Sequence, residues 1–440
     1  MKALVVSNGF PPRGQWGTEY YTHQLVSGLV ERGHEVAVLH PERDGSRSRY
    51  TLEETTGAGG VKVYLLYNEG DPEKTFAESF QDARVDESFR SILRDWKPDV
   101  VHFTYLLWGL SVRMPIVCRD EGVPTVVTLT DYSLVCHRGQ MFDWTMNRCF
   151  GPHPPDVCAR CIREPGRFDG TRMELAAKRT AVRTLARVGG AGRVVMPADL
   201  EERELAVRES IATVGHLVAP TRIIGEAFLK LGAPAERISH LCYGLDPTGL
   251  EEARKEPDSK TIRFGYLGQF TPHKGLAALL EAVEIMGCRL PESVEPWELL
   301  LYGRATGGRN REYAIDLLAK DRGPRVLVEK PFSPLECGRI LKGLNAVVVP
   351  SEWDENAPLT VLQARAAGVP IIASDVPGIR EVLEDGVHGV LCPVGDPHAL
   401  ANAMREVILR KIARTGRHDL PVTLGGHLDR IEEIYSGVTL

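Results

Sequence analysis

Short apolar runs alternate with helix-spaced segments along nearly the whole chain, and this alternation limits the fold more than any other feature. Residues 2–6 read as a buried strand. In 18–32 the apolar residues Tyr21, Leu25, Val26, Leu29 and Val30 recur at helical spacing. Further strands are expected at 35–39, 61–67, 100–104, 125–129, 216–219 and 238–243. Strands that alternate with helices build a parallel sheet covered on both faces. The pattern then restarts, with a strand at 262–267, a helix at 276–286 and strands at 298–303, 326–329, 346–350 and 370–373. Between the two series lies the polar stretch 247–260, containing EEARKEPDSK, which reads as a linker. The expected organisation is an N-terminal Rossmann-like domain over 1–246, the linker over 247–260 and a C-terminal Rossmann-like domain over 261–410. A tail over 411–440 is expected to be a helix returning to the first domain. Ligands of such sheets bind outside the carboxyl ends of the strands, and two doubly wound units place them in the cleft between the lobes.

The bulk properties narrow the function classes. At 440 residues the chain is longer than one core usually supports. A net charge of −6 argues against a nucleic-acid binder, which is usually strongly basic. The N-terminal apolar run is too short for a signal-peptide core, and no run approaches the 18 or so apolar residues that span a bilayer. A cytoplasmic protein is expected, in which the nine cysteines stay reduced. Basic residues at 172, 178, 179, 183 and 187 suit either peripheral contact with an anionic membrane or a solvated helix face; the interposed Ala and Val favour the latter.

Two runs in the second half carry the sharpest chemistry. FGYLGQFTPHKG (264–275) leaves a strand and enters a helix. Gly268 frees the backbone at the strand end, and Lys274 is placed to reach an anion near the helix start, where backbone N–H groups also favour negative charge. Taken alone, Lys274 is equally well a solvated side chain beside a capping glycine. PSEWDENAPLTVLQA (350–364) runs from a strand end through an acidic loop into a helix. Glu355 there can bond sugar hydroxyls, or can simply join Glu352 and Asp354 in a charge cluster that favours the helix dipole. Gln363 lies two helical turns beyond Glu355 on the same side, with an amide suited to a ribose.

Together with LLLYG (299–303), these runs resemble glycosyltransferase family 4, the retaining GT-B enzymes, and the resemblance covers nearly the whole chain. It implies two Rossmann-like domains facing across a cleft, with the donor in the C-terminal one. It implies that Glu355 contacts the transferred sugar, Lys274 the donor diphosphate and position 363 the donor ribose. Gly17, Gly268, Gln269, Gly303, Asn356, Leu359 and Thr360 complete the expected donor site. Gln363 stands where the family signature has a second Glu, and Gln269 where many members have Arg. A neutral amide forgoes charge-assisted bonds roughly twice as strong.

In the first half, PPRGQWGTE (11–19) joins a strand to a helix, with Thr18 as a candidate cap. The family loop there reads Gly-Gly-x-Glu; Trp16 replaces the first glycine and, with Glu19, is assigned to the acceptor side. His102 ends the strand DVVHF and is expected to face the cleft as a catalytic candidate; the other reading is a satisfied core histidine. Thr130 and Asp131, also on the acceptor side, occupy a His-Asp position of the family, and a hydroxyl supplies neither charge nor base near pH 7. Cys136, Cys149, Cys158 and Cys161 crowd into an insertion over 136–161 rich in Gly, Pro and Asp. Four thiolates suit a structural zinc ion; an iron–sulfur cluster or free thiols are the other readings, with His137 and His153 as substitute ligands.

The expected activity is transfer of a sugar, with retention, from an NDP-sugar (UDP- or GDP-linked) to a hydroxyl of a small molecule, glycan or lipid-linked acceptor. No Asp-x-Asp run is present, and no catalytic divalent metal is expected. The competing readings are a sugar-nucleotide epimerase or phosphorylase on the same fold, and a degenerate sugar-nucleotide-binding protein.

Overall fold

The computed structural model describes residues 1–14, 16–44, 47–68, 75–145, 147–163, 194–255, 257–289, 296–305, 307–320, 323–412 and 419–438. The basic residues at 172–187 fall outside them. Two sheets form. The first has eight strands in the order β3-β4-β2-β1-β5-β6-β7-β8, and the second has six in the order β11-β10-β9-β12-β13-β14. The first comprises β1 (Lys2–Val6), β2 (Glu35–Glu42), β3 (Leu52–Thr56), β4 (Lys62–Tyr67), β5 (Val100–Phe103), β6 (Thr125–Thr128), β7 (His216–Ala219) and β8 (Ile238–His240). The second comprises β9 (Ile262–Leu267), β10 (Trp297–Tyr302), β11 (Val326–Glu329), β12 (Ala346–Val349), β13 (Ile371–Ser374) and β14 (Gly389–Cys392). Apart from β3, every strand pairs parallel to its neighbours.

Strands buried on both faces explain the unbroken apolar runs: every residue of β5, β6, β12 and β13 is buried. β3 was not expected. Its sequence LEETT has no apolar alternation, and it pairs antiparallel with β4 as a largely exposed edge, where charge discourages further pairing. The strand order reverses beside β1 in the first sheet and beside β9 in the second. The loops after β1, β5, β9 and β12 therefore open onto crevices at switch points, where ligands of such sheets bind.

The lobes are joined twice. Leaving β8, the chain passes Leu245, and returning it passes Thr423; these two residues form a parallel bridge, with Leu424 N–H donating to the Leu245 carbonyl at 3.1 Å. The stretch read as the linker is partly packed: Leu250 and Ala253 are buried in the core that also holds Ile340 and Leu341. The tail helix Leu424–Gly437 lies on the helix Gly17–Glu31 of the first lobe. Arg32 and His34 both reach Glu432, each at 2.7 Å.

A buried polar chain fastens that helix. His102 joins Tyr435 Oη and Thr128 Oγ1, each at 2.7 Å. Thr128 Oγ1 meets Tyr21 Oη at 3.2 Å, and Tyr21 Oη meets His427 Nε2 at 3.0 Å. His427 Nδ1 lies 2.9 Å from the Cys242 carbonyl, so it carries the proton and Nε2 accepts from Tyr21. Burial, with the His427 ring adding to it, pushes His102 down to about 3. His102 is thus a neutral core residue with both nitrogens satisfied, and its expected place on the cleft as a catalytic group is corrected. Its strand is covered on both faces, which removes the alternation that distinguishes a cleft-facing position from a core one.

Candidate active site

Between the lobes lies a cavity of about 720 Å³. It is lined by 14 of the expected residues: Trp16, Gly17, Glu19, Thr130, Asp131, Gly268, Gln269, Lys274, Gly303, Glu355, Asn356, Leu359, Thr360 and Gln363. His102 and the four cysteines do not line it.

The centre of the C-terminal wall is an ion pair. Lys274 follows β9 on a turn that Gly275 closes at φ +70°; a side chain there would collide with the Pro350 carbonyl, so the β9 and β12 loops lie against each other. Lys274 Nζ donates to Glu355 Oε1 at 2.7 Å and sits 4.8 Å from the Trp353 ring centroid. Ser351 Oγ donates to the same carboxylate oxygen at 2.5 Å. The Glu355 side chain is 4% exposed and that of Lys274 23%, so the ammonium is the more accessible partner. His273 packs edge-on between Phe142 and Trp353, and burial holds it well below the usual histidine range. His273 is therefore neutral, and Lys274 alone of the two makes the ion pair with Glu355.

Gln363 is buried, and its amide donates to the Pro334 carbonyl at 3.2 Å. Thr360 Oγ1 donates to the Leu267 carbonyl at 3.3 Å, which ties the helix Leu359–Ala366 to the end of β9. Asn356 has little left for a ligand. Its Nδ2 donates to the Leu129 carbonyl at 2.7 Å and contacts Tyr243 Oη at 3.1 Å, while its Oδ1 accepts from Thr221 at 2.9 Å. Its amide is an interlobe clamp.

On the opposite wall, Trp16 rather than Thr18 is the N-cap of the helix Gly17–Glu31, without a side-chain cap. Glu19 is buried; Oε1 accepts from Asn8 at 3.1 Å, Oε2 has no partner among the described residues, and burial raises its pKa. The Thr130 hydroxyl donates to the Thr104 carbonyl at 2.8 Å. Asp131 accepts from the N–H and hydroxyl of Ser133 at 2.9 and 2.6 Å, and burial raises its pKa.

The insertion forms one end of the cleft. Arg138, Gly139 and Gln140 line the cavity, and Arg148 pairs with Asp354 of the other lobe. The expected four-thiolate site is not supported. Cys158 is pushed up to about 11 by burial first and then by Cys136, Cys149 and Cys161, so the thiols are neighbours. Yet among the described residues no group of three or more His, Cys, Asp and Glu is arranged to hold a metal ion. Hydrogen bonds order the loop instead. Asp143 accepts from Thr145 N and Oγ1 at 2.8 and 2.6 Å and from Asn147 N at 3.0 Å, and buried Arg203 donates to the Ser133 and Leu134 carbonyls.

Trp108 and Arg304 are among the cavity residues that escaped the sequence reading. Trp108 is 57% exposed with φ +55°, unusual for a bulky side chain. Buried Asn68 pins its turn by donating to the Gly109 carbonyl at 2.7 Å. In sequence, LLWGL passes for ordinary apolar chain. Arg304 follows Gly303 and lies 4.8 Å from the Trp16 ring centroid. Among the described residues, no helix is long and apolar enough to cross a membrane.

Comparisons with known proteins agree with this architecture. Residues 17–244 match the glycosyl transferase 4-like domain and residues 250–417 match glycosyl transferases group 1. The D-inositol 3-phosphate glycosyltransferase of Xylanimonas cellulosilytica is 32% identical over 242 residues, 50% of this chain. The chain spans only 55% of that protein's length. The glycogen synthase of Mycobacterium tuberculosis is 24% identical over 93% of this chain and 86% of its own. HepE of Anabaena, solved in complex with UDP and glucose, superposes with a TM-score of 0.65 over the full length of both chains at 15% identity. Starch synthase IV of Arabidopsis thaliana, bound to ADP and acarbose, gives 0.61 at 14% identity over 99% of this chain and 98% of its own. With over half of its length matched by the 4-like domain and most of the remainder by the group 1 domain, the chain belongs to the group 1, family 4-like glycosyltransferases of GT-B architecture.

Proposed function

We propose that the protein moves a sugar, with retention of anomeric configuration, from an NDP-sugar to an acceptor hydroxyl. The observation that carries this reading is the Lys274–Glu355 pair at the junction of the β9 and β12 loops, inside a cleft that both lobes line. Neighbouring folds solved with UDP and ADP support a nucleotide-linked donor.

Each residue then has a defined task. Lys274, the more exposed partner, turns from Glu355 to the leaving diphosphate and stabilises the charge that develops on it. Glu355, held by Ser351, is left to accept from hydroxyls of the sugar. Gln363 meets the ribose through its carbonyl oxygen, because its two N–H groups serve the Pro334 carbonyl and Tyr20. The acceptor enters beside Trp108, Thr130 and Asp131. The thiol-bearing loop shapes that entrance.

A thermal-shift screen against UDP-, GDP-, ADP- and TDP-sugars should stabilise the protein with one nucleotide class. Mass spectrometry of candidate acceptors should then show the added sugar, and NMR the retained anomer. Binding without transfer or donor hydrolysis would point to a binding protein. An inverted product would overturn the retaining assignment.

A further inference from the structure

The cleft must accommodate a diphosphate, and its cations are few. Among the described residues lining it, the Lys and Arg side chains are Arg138, Lys274 and Arg304. Lys274 is committed to Glu355 in the unliganded protein, and Arg138 Nη1 donates to the Cys161 carbonyl at 3.4 Å. Gln269 carries no charge. Arg304 is exposed, and its guanidinium meets the Trp16 ring but no carboxylate among the described residues.

Its backbone is fixed against the loop that carries Lys274. Gly268 N–H donates to the Tyr302 carbonyl at 3.0 Å and Phe270 N–H to the Arg304 carbonyl at 3.1 Å. At the intervening Gly303, a Cβ would lie 1.9 Å from the Gly268 carbonyl oxygen. Residues 302–304 and 268–270 thus run as one layer along the donor wall.

Building on the NDP-sugar reading above, we propose that Arg304 is the second cation on the donor diphosphate beside Lys274, and that Trp16 is its positioning residue. A guanidinium lying over an aromatic ring keeps its N–H groups in its own plane, so it can stack and donate to phosphate at once. Stacking also restricts a long side chain before the ligand arrives, which lowers the ordering cost of binding. The two partners belong to different lobes. Trp16 precedes the first helix of the N-terminal lobe, whereas Arg304 follows β10 of the other. The cation is therefore set in place only when the lobes are as close as they are here. At Gly17 they are within ordinary contact reach, since a Cβ there would lie 3.8 Å from Leu359 Cδ1. Trp16 in place of glycine and a neutral Gln269 become one arrangement, in which a ring on one lobe presents an arginine from the other.

The test is titration calorimetry with UDP, GDP, ADP and TDP on the wild type and on Arg304→Ala, Arg304→Lys, Trp16→Ala, the Trp16→Ala/Arg304→Ala double variant and Lys274→Ala. For the nucleotide that the wild type binds, Arg304→Ala should weaken binding about tenfold or more and flatten its dependence on NaCl. Its thermal stability should stay unchanged, because the side chain is exposed. Arg304→Lys should recover part of the loss. Trp16→Ala should weaken binding severalfold in the wild type and add nothing in the Arg304→Ala background. If no nucleoside diphosphate binds the wild type, the NDP-sugar reading fails and this proposal with it. If Lys274→Ala weakens binding while Arg304→Ala stays within twofold of wild type, the proposal alone is overturned. Additive losses from Trp16→Ala and Arg304→Ala would overturn the positioning role of Trp16.

Discussion

Replacing Lys274 by Ala separates the ligand role of this residue from its structural one. In the unliganded protein the substitution strands Glu355, whose side chain is 4% exposed and keeps only the Ser351 hydroxyl. Breaking a fully buried ion pair by removing one partner costs about 3–5 kcal/mol. Lys274 is 23% exposed, so water returns to the site and about 1–3 kcal/mol is a fairer range. At roughly 2–4 °C per kcal/mol for a domain of this size, the C-terminal lobe should melt a few degrees lower. Donor affinity should fall separately, because a hydrogen bond to a charged group contributes about 1.5–3 kcal/mol, or about ten- to a hundredfold. The double variant Lys274→Ala/Glu355→Gln removes the stranded charge. It should regain most of the melting temperature and none of the affinity. Calorimetric melting and nucleotide titration on the three proteins give both quantities. Unchanged affinity in Lys274→Ala would refute the phosphate contact. Restored affinity in the double variant would show that the loss came from the unpaired carboxylate.

The other predictions are shorter. Glu355→Gln should lower turnover more than nucleotide affinity in steady-state and binding assays, and equal losses would take the residue away from the sugar. Gln363→Glu should tighten a ribonucleoside diphosphate but not its 2′,3′-dideoxy analogue; it should also lower the melting temperature, since a carboxylate cannot donate to the Pro334 carbonyl. Trp108→Ala should raise the acceptor KM severalfold and leave donor hydrolysis unchanged, and an unaltered KM would remove Trp108 from the acceptor site. His102 and His427 are held at about 3 and 4, below the value of about 6.5 expected in the unfolded chain. The unfolded state therefore takes up protons first as pH falls. Stability should be full above pH 6.5 and should decline below it by about 1.4 kcal/mol per pH unit for each histidine. Denaturant midpoints from pH 7.5 to 5 would show this slope, and His427→Gln should remove one histidine's share of it, the rest staying with His102, His137 and His273, which burial also holds low.

What could be read from the sequence was what depends on period and local chemistry. The strand–helix alternation implied two parallel sheets, and the LGQF-TPHKG and SEWDENAPLT runs marked loops that the fold does bring together. What depends on which side chain reaches which neighbour could not be read. His102 sits in a strand whose two faces are equally apolar, so its turn inward to Tyr435, far along the chain, left no local trace. Asn356 lies inside a ligand-like motif, but Thr221, Leu129 and Tyr243 absorb its amide. The four cysteines satisfied a count, and a count does not fix the direction of a thiol. Trp108 had no motif around it, and Arg304 lies one residue past the LLLYG run. Their positions follow from a pinned turn in one case and from a partner on the opposite lobe in the other.

The path of the tail sets the order in which the molecule can be completed during synthesis. The second lobe is built from one continuous stretch and can close as soon as that stretch has left the ribosome. The first lobe cannot. The pocket around Tyr21, Thr128 and His102 stays unfilled until Tyr435 arrives, about 190 residues after β8. At about 5–20 residues per second that gap lasts about 10–40 s. For that interval the earliest-made part of the chain is the unfinished one, with an apolar groove along its first helix open to the wrong partner.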